Sequence, residues 1–572
     1  MIGLKSRRRP ISRNRNPCPA FCLWGGPIGQ ATDDAWEAGG ASGTSPFFGG
    51  EAMKQAVVII HGMGEQLPME TLQGFVDAVW VYDKDLISRG REDSSTGEKR
   101  KRNPVWGKPD SRNRSYELRR IATESMDGRG PTDFYEFYWA HLIHGTTWEQ
   151  VKSWIFDLLW RSPRRVPMAV RKAWILLWVV SVIAAIGSLA ALLPSATIYN
   201  CLFNECASDT VGKQQSLWTI VSPVLIGLAS LGLGAFVNVF LIKYFGDVAR
   251  YVKADPLNVA RRQEIREKGV ELLETLMGKD TSGRFGPRRY DRIVVVAHSL
   301  GTIVAYDILL HCFARLNTVS AVDPKDAAAN QQPVRAALER RVRTKMQLAA
   351  GKTETVPDDP QGRFELFGIE QFQELQGLCR QELNRQGNPW IVSDFITLGS
   401  PLTHAEFLLA KDRGDLRDKQ VQRIFATCPP AMEFDGTTRA WHFTYGPSDA
   451  PRDETGGDFR HPHHAALFAY TRWTNLYSPH KMIFWGDVIS GPLSEQFGFH
   501  HVQGQFSGIR DIVVAPYSGD RSASVDAPDF FSHTKYWHFN ATAARTETEE
   551  TPFVTPEHIN VLRSAMNLKN GI

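Results

Sequence analysis

Residues 292–310 read RIVVVAHSLGTIVAYDILL, and their reading decides the fold. A run of β-branched apolar residues predicts a strand buried on both faces, since such strands show no polar alternation. AHSLG, at 297–301, breaks the run with small residues, and the stretch after it predicts an apolar helix. A strand-turn-helix of this kind presents Ser299 at the tip of a tight turn, and small neighbours let strand and helix approach without a side-chain clash. The free N–H groups and positive dipole end of the helix then face any negative charge that develops beside the serine. The pentapeptide fits the pattern G-x-S-x-G with Ala297 in the first small position.

Upstream, AVVII at 56–60 predicts a second buried strand, running directly into HGMGE at 61–65. Downstream come DFITLGSPL at 394–402, WTNLY at 473–477, GDVISGPL at 486–493, IRDIVV at 509–514 and SHTKYW at 532–537. With GDVARY at 246–251, this set resembles the lipase-like branch of the α/β-hydrolases, in particular bacterial membrane-associated serine hydrolases whose substrates are largely unassigned. The matching pieces extend from about residue 54 to about 540. The resemblance implies a mainly parallel α/β sheet, with Ser299 as nucleophile, Asp487 as the acid and His533 as the base, in that chain order. It further implies an oxyanion hole formed by the N–H groups of Met63 and Leu300, and no metal or organic cofactor. One departure stands out. Residues 479–485, PHKMIFW, separate the strand from Asp487, where the family's acid lies only a few residues past its strand.

Other residues compete for these roles. His442, His461, His463, His464, His500, His501 and His538 also lie downstream of the serine. His533 is preferred because it follows the strand at 509–514. The cluster His461-Pro-His-His464 has no cysteine or carboxylate pair beside it at ligand spacing, and reads as a solvated loop rather than a metal site. His298 reads as packing or hydrogen bonding beneath the turn. Asp394 and Asp511 are the alternative acids.

Composition alone describes a soluble globular enzyme: 572 residues, 42% apolar, net charge +4. Two uncharged runs contradict that average. Residues 174–193, WILLWVVSVIAAIGSLAALL, are long enough to span a hydrocarbon core of about 30 Å at about 1.5 Å per residue. Residues 217–242 form a longer run whose Pro223 and glycines a membrane helix tolerates. Small residues four apart, as in Ala184/Ser188 and Ser230/Gly234, favour close packing of the two as an antiparallel hairpin. Arg161, Arg164, Arg165, Arg171 and Lys172 precede the first run, and Lys243 and Arg250 follow the second. The connecting loop carries Lys213 against Glu205 and Asp209. The positive-inside rule therefore predicts a two-pass membrane protein, a bacterial inner-membrane one by the resemblance, with its hydrolase body cytoplasmic. Cys201 and Cys206 would face outward, where a disulfide is permitted.

The expected organisation is as follows. Residues 1–52, lacking any periodic apolar pattern, are a disordered or artefactual extension. Residues 53–172 hold the oxyanion loop, 173–243 the hairpin and 244–316 the serine turn. Residues 317–392 are a helical insertion where this fold often carries a lid, 393–545 hold the acid and histidine, and 546–572 are a tail. Met69 to Leu86 predicts a crossover helix, Thr132 to Trp139 a strand, and Pro256 the start of a helix with Val259, Ile265, Leu272, Leu273 and Leu276 on one face. Residues 148–160 suit a membrane interface. The basic stretch 92–113 reads as a solvated loop, not a nucleic-acid surface. The function expected is ester hydrolysis of a lipid or long-chain acyl ester. The alternatives are an esterase for small soluble esters and a non-catalytic membrane scaffold.

Overall fold

In the computed structural model, the described residues are 53–62, 68–86, 100–109, 119–125, 130–143, 251–252, 256–321, 331–349, 368–446, 459–481, 485–501, 504–517, 523–548 and 551–568, with isolated positions between 92 and 183. Eight strands form the main sheet: β1 (Gln55–Ile60), β2 (Val105–Pro109), β3 (Arg119–Thr123), β4 (Thr132–Phe137), β5 (Arg292–His298), β6 (Val392–Leu398), β7 (Arg472–Tyr477) and β8 (Arg510–Val513). Their order is β8-β7-β6-β5-β1-β4-β3-β2. From β8 through β4 every pairing is parallel, whereas β3 and β2 close one edge antiparallel. The expected mainly parallel α/β sheet is present.

The strands that read as unbroken apolar runs are central and covered on both sides. Val58, Ile60, Ile293 and Val295 face a core shared with α2 (Pro256–Leu276) and α3 (Gly301–Leu316). Val57, Ile59, Val294 and Val296 face the opposite core, shared with α1 (Glu70–Val76). Alternation of side chains across the pleat divides one apolar run between two cores. The crossover helix predicted over 69–86 is α1 followed by a π-helical stretch, Asp77–Val81. In α2, Ile265, Leu272, Leu273 and Leu276 are buried as expected, but Val259 is 42% exposed, one turn from the helix start where nothing covers it among the described residues.

Two stretches behave differently from expectation. Among its described residues the insertion at 317–392 holds two helices, α4 (Pro333–Ala349) and α5 (Ile369–Arg385), and these are part of the core rather than a cover above the site; 322–330 and 350–367 lie outside the described residues. Leu338, Val342, Phe372 and Cys379 are fully buried in the same cluster as the sheet. Nor is 546–572 a tail. It contains α6 (Glu557–Met566), whose Ile559, Leu562 and Met566 are buried on the α1 side of the sheet.

A buried guanidinium fastens α6. Arg292, at the start of β5, donates Nε–H to Ser393 Oγ (2.9 Å), Nη1–H to Asn567 O (3.0 Å), and Nη2–H to Met566 O (2.7 Å) and Asp394 Oδ2 (3.0 Å). The last carbonyls of a helix have no partner within it, and a cation there satisfies them and meets the negative end of the dipole. Asp394 also pairs with Arg472 (2.8 Å), so this candidate acid is occupied by a structural ion network.

Residues 1–52, 148–159 and 217–242, Cys201 and Cys206, most of 92–113 and most of 174–193 lie outside the described residues. Among the described residues, no helix is long and apolar enough to cross a membrane. Cys312, Cys379 and Cys428 are buried free thiols.

Arg292→Met should lower unfolding free energy by about 3 kcal/mol, because two helix-end carbonyls and part of the Asp394 charge lose their buried donor. Denaturant unfolding of the variant against wild type measures this.

Candidate active site

Parallel strands deliver their C-terminal ends to one edge of the sheet, and every candidate site segment leaves from that edge. Ser299 follows β5 with a left-handed backbone, φ 53°, a conformation that costs a non-glycine residue free energy and turns its side chain out of the strand. The turn is held on both sides: Ser299 N–H donates to Leu398 O at the end of β6 (3.0 Å), and Thr302 N–H donates to Ser299 O (2.9 Å). Residue 301 must be glycine. A Cβ there would lie 2.3 Å from His61 O and 2.6 Å from Ile60 O, because the N-terminus of α3 abuts the end of β1.

Three residues form a continuous hydrogen-bonded chain. Ser299 Oγ–H donates to His533 Nε2 (2.8 Å), and His533 Nδ1–H donates to Asp487 Oδ2 (2.9 Å). Ser299, His533 and Asp487 are 2%, 3% and 1% exposed, so water competes little for these bonds. Burial acts to raise the Asp487 carboxyl. The electrostatic pull of the adjacent His533 ring, with hydrogen bonds from His533, Ser490 and Tyr536, outweighs it and holds the group at about 2. Asp487 is therefore ionised near neutrality and fixes the His533 tautomer that leaves Nε2 free to accept.

The excursion before Asp487 is resolved by pairing. Lys481 bridges Trp485, which bridges Phe530. Gly486 N–H donates to Asp529 O (2.9 Å), and Ser532 N–H donates to Gly486 O (3.1 Å). The acid loop and the histidine loop are thus joined to each other, and the length of chain after β7 does not displace the carboxylate. Asp511, the other alternative acid, secures the far end of the same loop by accepting from Leu493 N (3.0 Å) and Ser494 N (2.9 Å).

Several supporting residues carry no signal in the motifs. Tyr536 Oη–H donates to Asp487 Oδ2 (2.9 Å), and Ile489 N–H donates to Oδ1 (2.9 Å). Gly399, in the LGSPL segment, has φ 59°, and a Cβ on it would lie 2.8 Å from the Tyr536 ring and 3.1 Å from Asp487 Oδ2. The neighbouring Ser400 Oγ bonds Thr302 Oγ1 (2.7 Å) beneath the serine. A histidine followed by tyrosine three residues later is the only trace of the Tyr536 contact in the sequence.

His298 lies beneath the turn as expected. Burial and the neighbouring His533 push it down to about 3, so it is neutral, and Nε2–H donates to the His533 carbonyl (2.7 Å). His61 stacks on Trp139 at 5.1 Å. Its Nε2 accepts from Trp139 N (3.3 Å), which leaves Nδ1–H to hold Gly62 O (2.9 Å). Leu300, the N-cap of α3, is buried beside Ser299; Met63 lies outside the described residues.

His442, His463 and His464 are placed elsewhere. His442 bonds Glu339 (2.7 Å). His463 is buried, contrary to the solvated-loop reading, and bonds Ala431 O (2.8 Å), because β-strand pairing of the loop turns it inward. His464 remains exposed, bonding Arg423 O (3.0 Å). His538 accompanies Trp537 along a cavity of about 460 Å³ that opens over Ser299 and His533. No residue of 317–392 is among its described lining.

Chemically, the arrangement is a serine hydroxyl hydrogen-bonded to an imidazole whose second nitrogen is held by an ionised carboxylate, a set able to supply a nucleophile and a base. Comparison with protein-family models, curated proteins and solved structures gives no match.

Acid should weaken the fold through this site. The Asp487 carboxyl is depressed in the folded chain, so its contribution is complete above about pH 4 and is lost as pH falls toward about 2. Asp487→Asn should therefore remove about 2 kcal/mol of the decline in unfolding free energy between about pH 5 and about pH 2, measured by urea titration.

Proposed function

We propose that the protein is a serine ester hydrolase of the α/β-hydrolase type. The observation that carries this reading is the buried chain Ser299 Oγ–His533–Asp487, with spacings of 2.8 and 2.9 Å. Ser299 Oγ attacks the acyl carbonyl carbon while His533 Nε2 takes its proton, and Asp487 steadies the resulting imidazolium. The tetrahedral oxyanion is met by the Leu300 N–H at the α3 N-terminus and, by the family resemblance, the Met63 N–H. Collapse breaks the bond to the alcohol oxygen, which receives the proton from His533. Water, deprotonated by the same base, then releases the acid and restores Ser299. A left-handed backbone at the serine, beside a fully bonded base and acid, is strain that a purely structural scaffold has no use for.

We further propose membrane attachment through 173–243 and a lipid or long-chain acyl ester as substrate. The support is the two uncharged runs and the basic residues that flank them. The described positions of the first run are helical, and Ile175, Val179, Val182 and Ile183 are each 45–54% exposed at the i, i+4, i+7, i+8 spacing of one helix face. Such a stripe suits contact with lipid or with a second helix. A body held at the bilayer surface by this segment shortens a lipid's path to Ser299.

Ser299→Ala should abolish fluorophosphonate labelling and reduce ester hydrolysis by orders of magnitude with an unchanged melting curve. Asp487→Asn should cost about 10⁴ in kcat, far more than Asp394→Asn or Asp511→Asn, because only Asp487 sets the tautomer. Near-wild-type turnover in Ser299→Ala refutes the assignment.

Replacing 173–243 by a short linker should reduce hydrolysis of long-chain esters in vesicles while sparing short soluble esters. If the full chain ignores vesicles and prefers short esters, the substrate is a small soluble one.

A further inference from the structure

The cavity over Ser299 has an acidic wall. Glu70 and Asp77 both line it, seven residues apart on the α1 segment with Gly74 between them, so they recur on one helix face about 10 Å apart. Among the described residues neither carboxylate has a side-chain hydrogen bond or an ion pair. Asp77 is half-buried, and burial pushes its carboxyl up against the opposing fields of Arg545 and Arg102. A partly desolvated carboxylate without a donor is unfavourable unless something brought into the cavity supplies one. Of the two arginines whose fields reach Asp77, Arg545 is engaged, its Nε–H donating to Tyr82 Oη (2.8 Å), and Arg102 is exposed to solvent; Lys535, beside the lining residue Thr534, pairs with Asp529 (2.8 Å). Trp537 stands against this wall, its Nε1 3.7 Å from where a Cβ on Gly74 would lie, and Phe539 also lines the cavity. His538, also on the lining, is pushed down by burial and by Lys535, so it adds no charge near neutrality.

Carboxylates beside aromatic rings attract a cation and repel an anion. We propose that this cavity selects esters that carry an ammonium group and discriminates against anionic esters, with Glu70 and Asp77 as the specificity-determining residues. The inference rests on the hydrolase reading of Ser299. The ammonium is carried either by a lipid head group or by a soluble ester; the chemistry that Glu70, Asp77 and Trp537 recognise is the same.

The test uses the full chain and three matched esters: butyrylcholine, its uncharged carbon isostere 3,3-dimethylbutyl butyrate, and 2-carboxyethyl butyrate. At low salt, kcat/KM for the cation should exceed that for the isostere by about tenfold, and the anion should fall below the isostere. The cation's advantage should shrink as ionic strength rises. In Glu70→Gln/Asp77→Asn the cation-to-isostere ratio should fall to about one; exposed Glu70→Gln alone should lower it part way and serves if the double variant does not fold. A vesicle arm, phosphatidylcholine against phosphatidylglycerol, identifies the carrier. Selective fatty-acid release from phosphatidylcholine assigns a lipid head group, and discrimination in the soluble set alone assigns a soluble ester. A wild-type ratio within about twofold of one, or a tenfold ratio that survives both substitutions, overturns the charge selection while leaving the hydrolase intact. Absence of all ester hydrolysis together with absence of fluorophosphonate labelling overturns the hydrolase reading itself.

Discussion

The approach of the α3 N-terminus to the end of β1 is the constraint on which the site depends. At Gly301 the two backbones leave no room for a Cβ, which would stand 2.3 Å from His61 O. That proximity brings the β1 exit, with His61 and Gly62, directly against Ser299. It also forces the chain through the left-handed turn at Ser299, held to β6 through Leu398 O. The strained conformation persists because bonds on either side over-determine it. Were the helix to start even a little farther out, the serine would no longer lie beside the carbonyl ends of both neighbouring strands.

The second requirement is that two distant loops arrive together. Asp487 and His533 hang from loops after β7 and β8, and each loop alone has many conformations. Their mutual bonds, Gly486 to Asp529 and Ser532 to Gly486, make one unit of them. Asp511 closes the near loop at Leu493, and Tyr536 adds a donor to the same carboxylate that holds His533. Buried and fully bonded, this network is favourable as a whole and costly in part, since removing one donor leaves a charge without compensation. The same accounting applies at the other end of the sheet, where Arg292 joins β5 and β6 to the end of α6.

Charge is distributed unevenly between these two centres. At the start of the strands Asp394 is enclosed by arginines, whereas Glu70 and Asp77, on the lining of the cavity beyond the strand ends, make no ion pair among the described residues. The first arrangement serves cohesion and the second is open to a ligand. Ser299 lies between a tightly bonded acid–histidine unit and a cavity that Glu70 and Asp77 line.

The sequence by itself determined what local pattern and order determine. Unbroken β-branched runs at 56–60 and 292–298 specified buried parallel strands, and AHSLG in its strand-helix setting marked Ser299. The family resemblance, with its order Ser, acid, His, pointed to Asp487 and His533 and left Asp394 and Asp511 as alternative acids. These signals are legible because strand burial and turn sterics act within a few residues. Tertiary structure decided the rest. Whether 479–485 carried Asp487 away from His533 depended on the pairing of Trp485 with Phe530, 45 residues further on. Whether 317–392 covered the site, and whether 546–572 was a tail, depended on where apolar faces found a sheet to cover. Whether Asp394 was an acid for His533 depended on Arg292 and Arg472, which meet it across three strands. Such outcomes are set by contacts between segments distant in the chain, and a periodicity reports only that a face is apolar, never which surface it will meet.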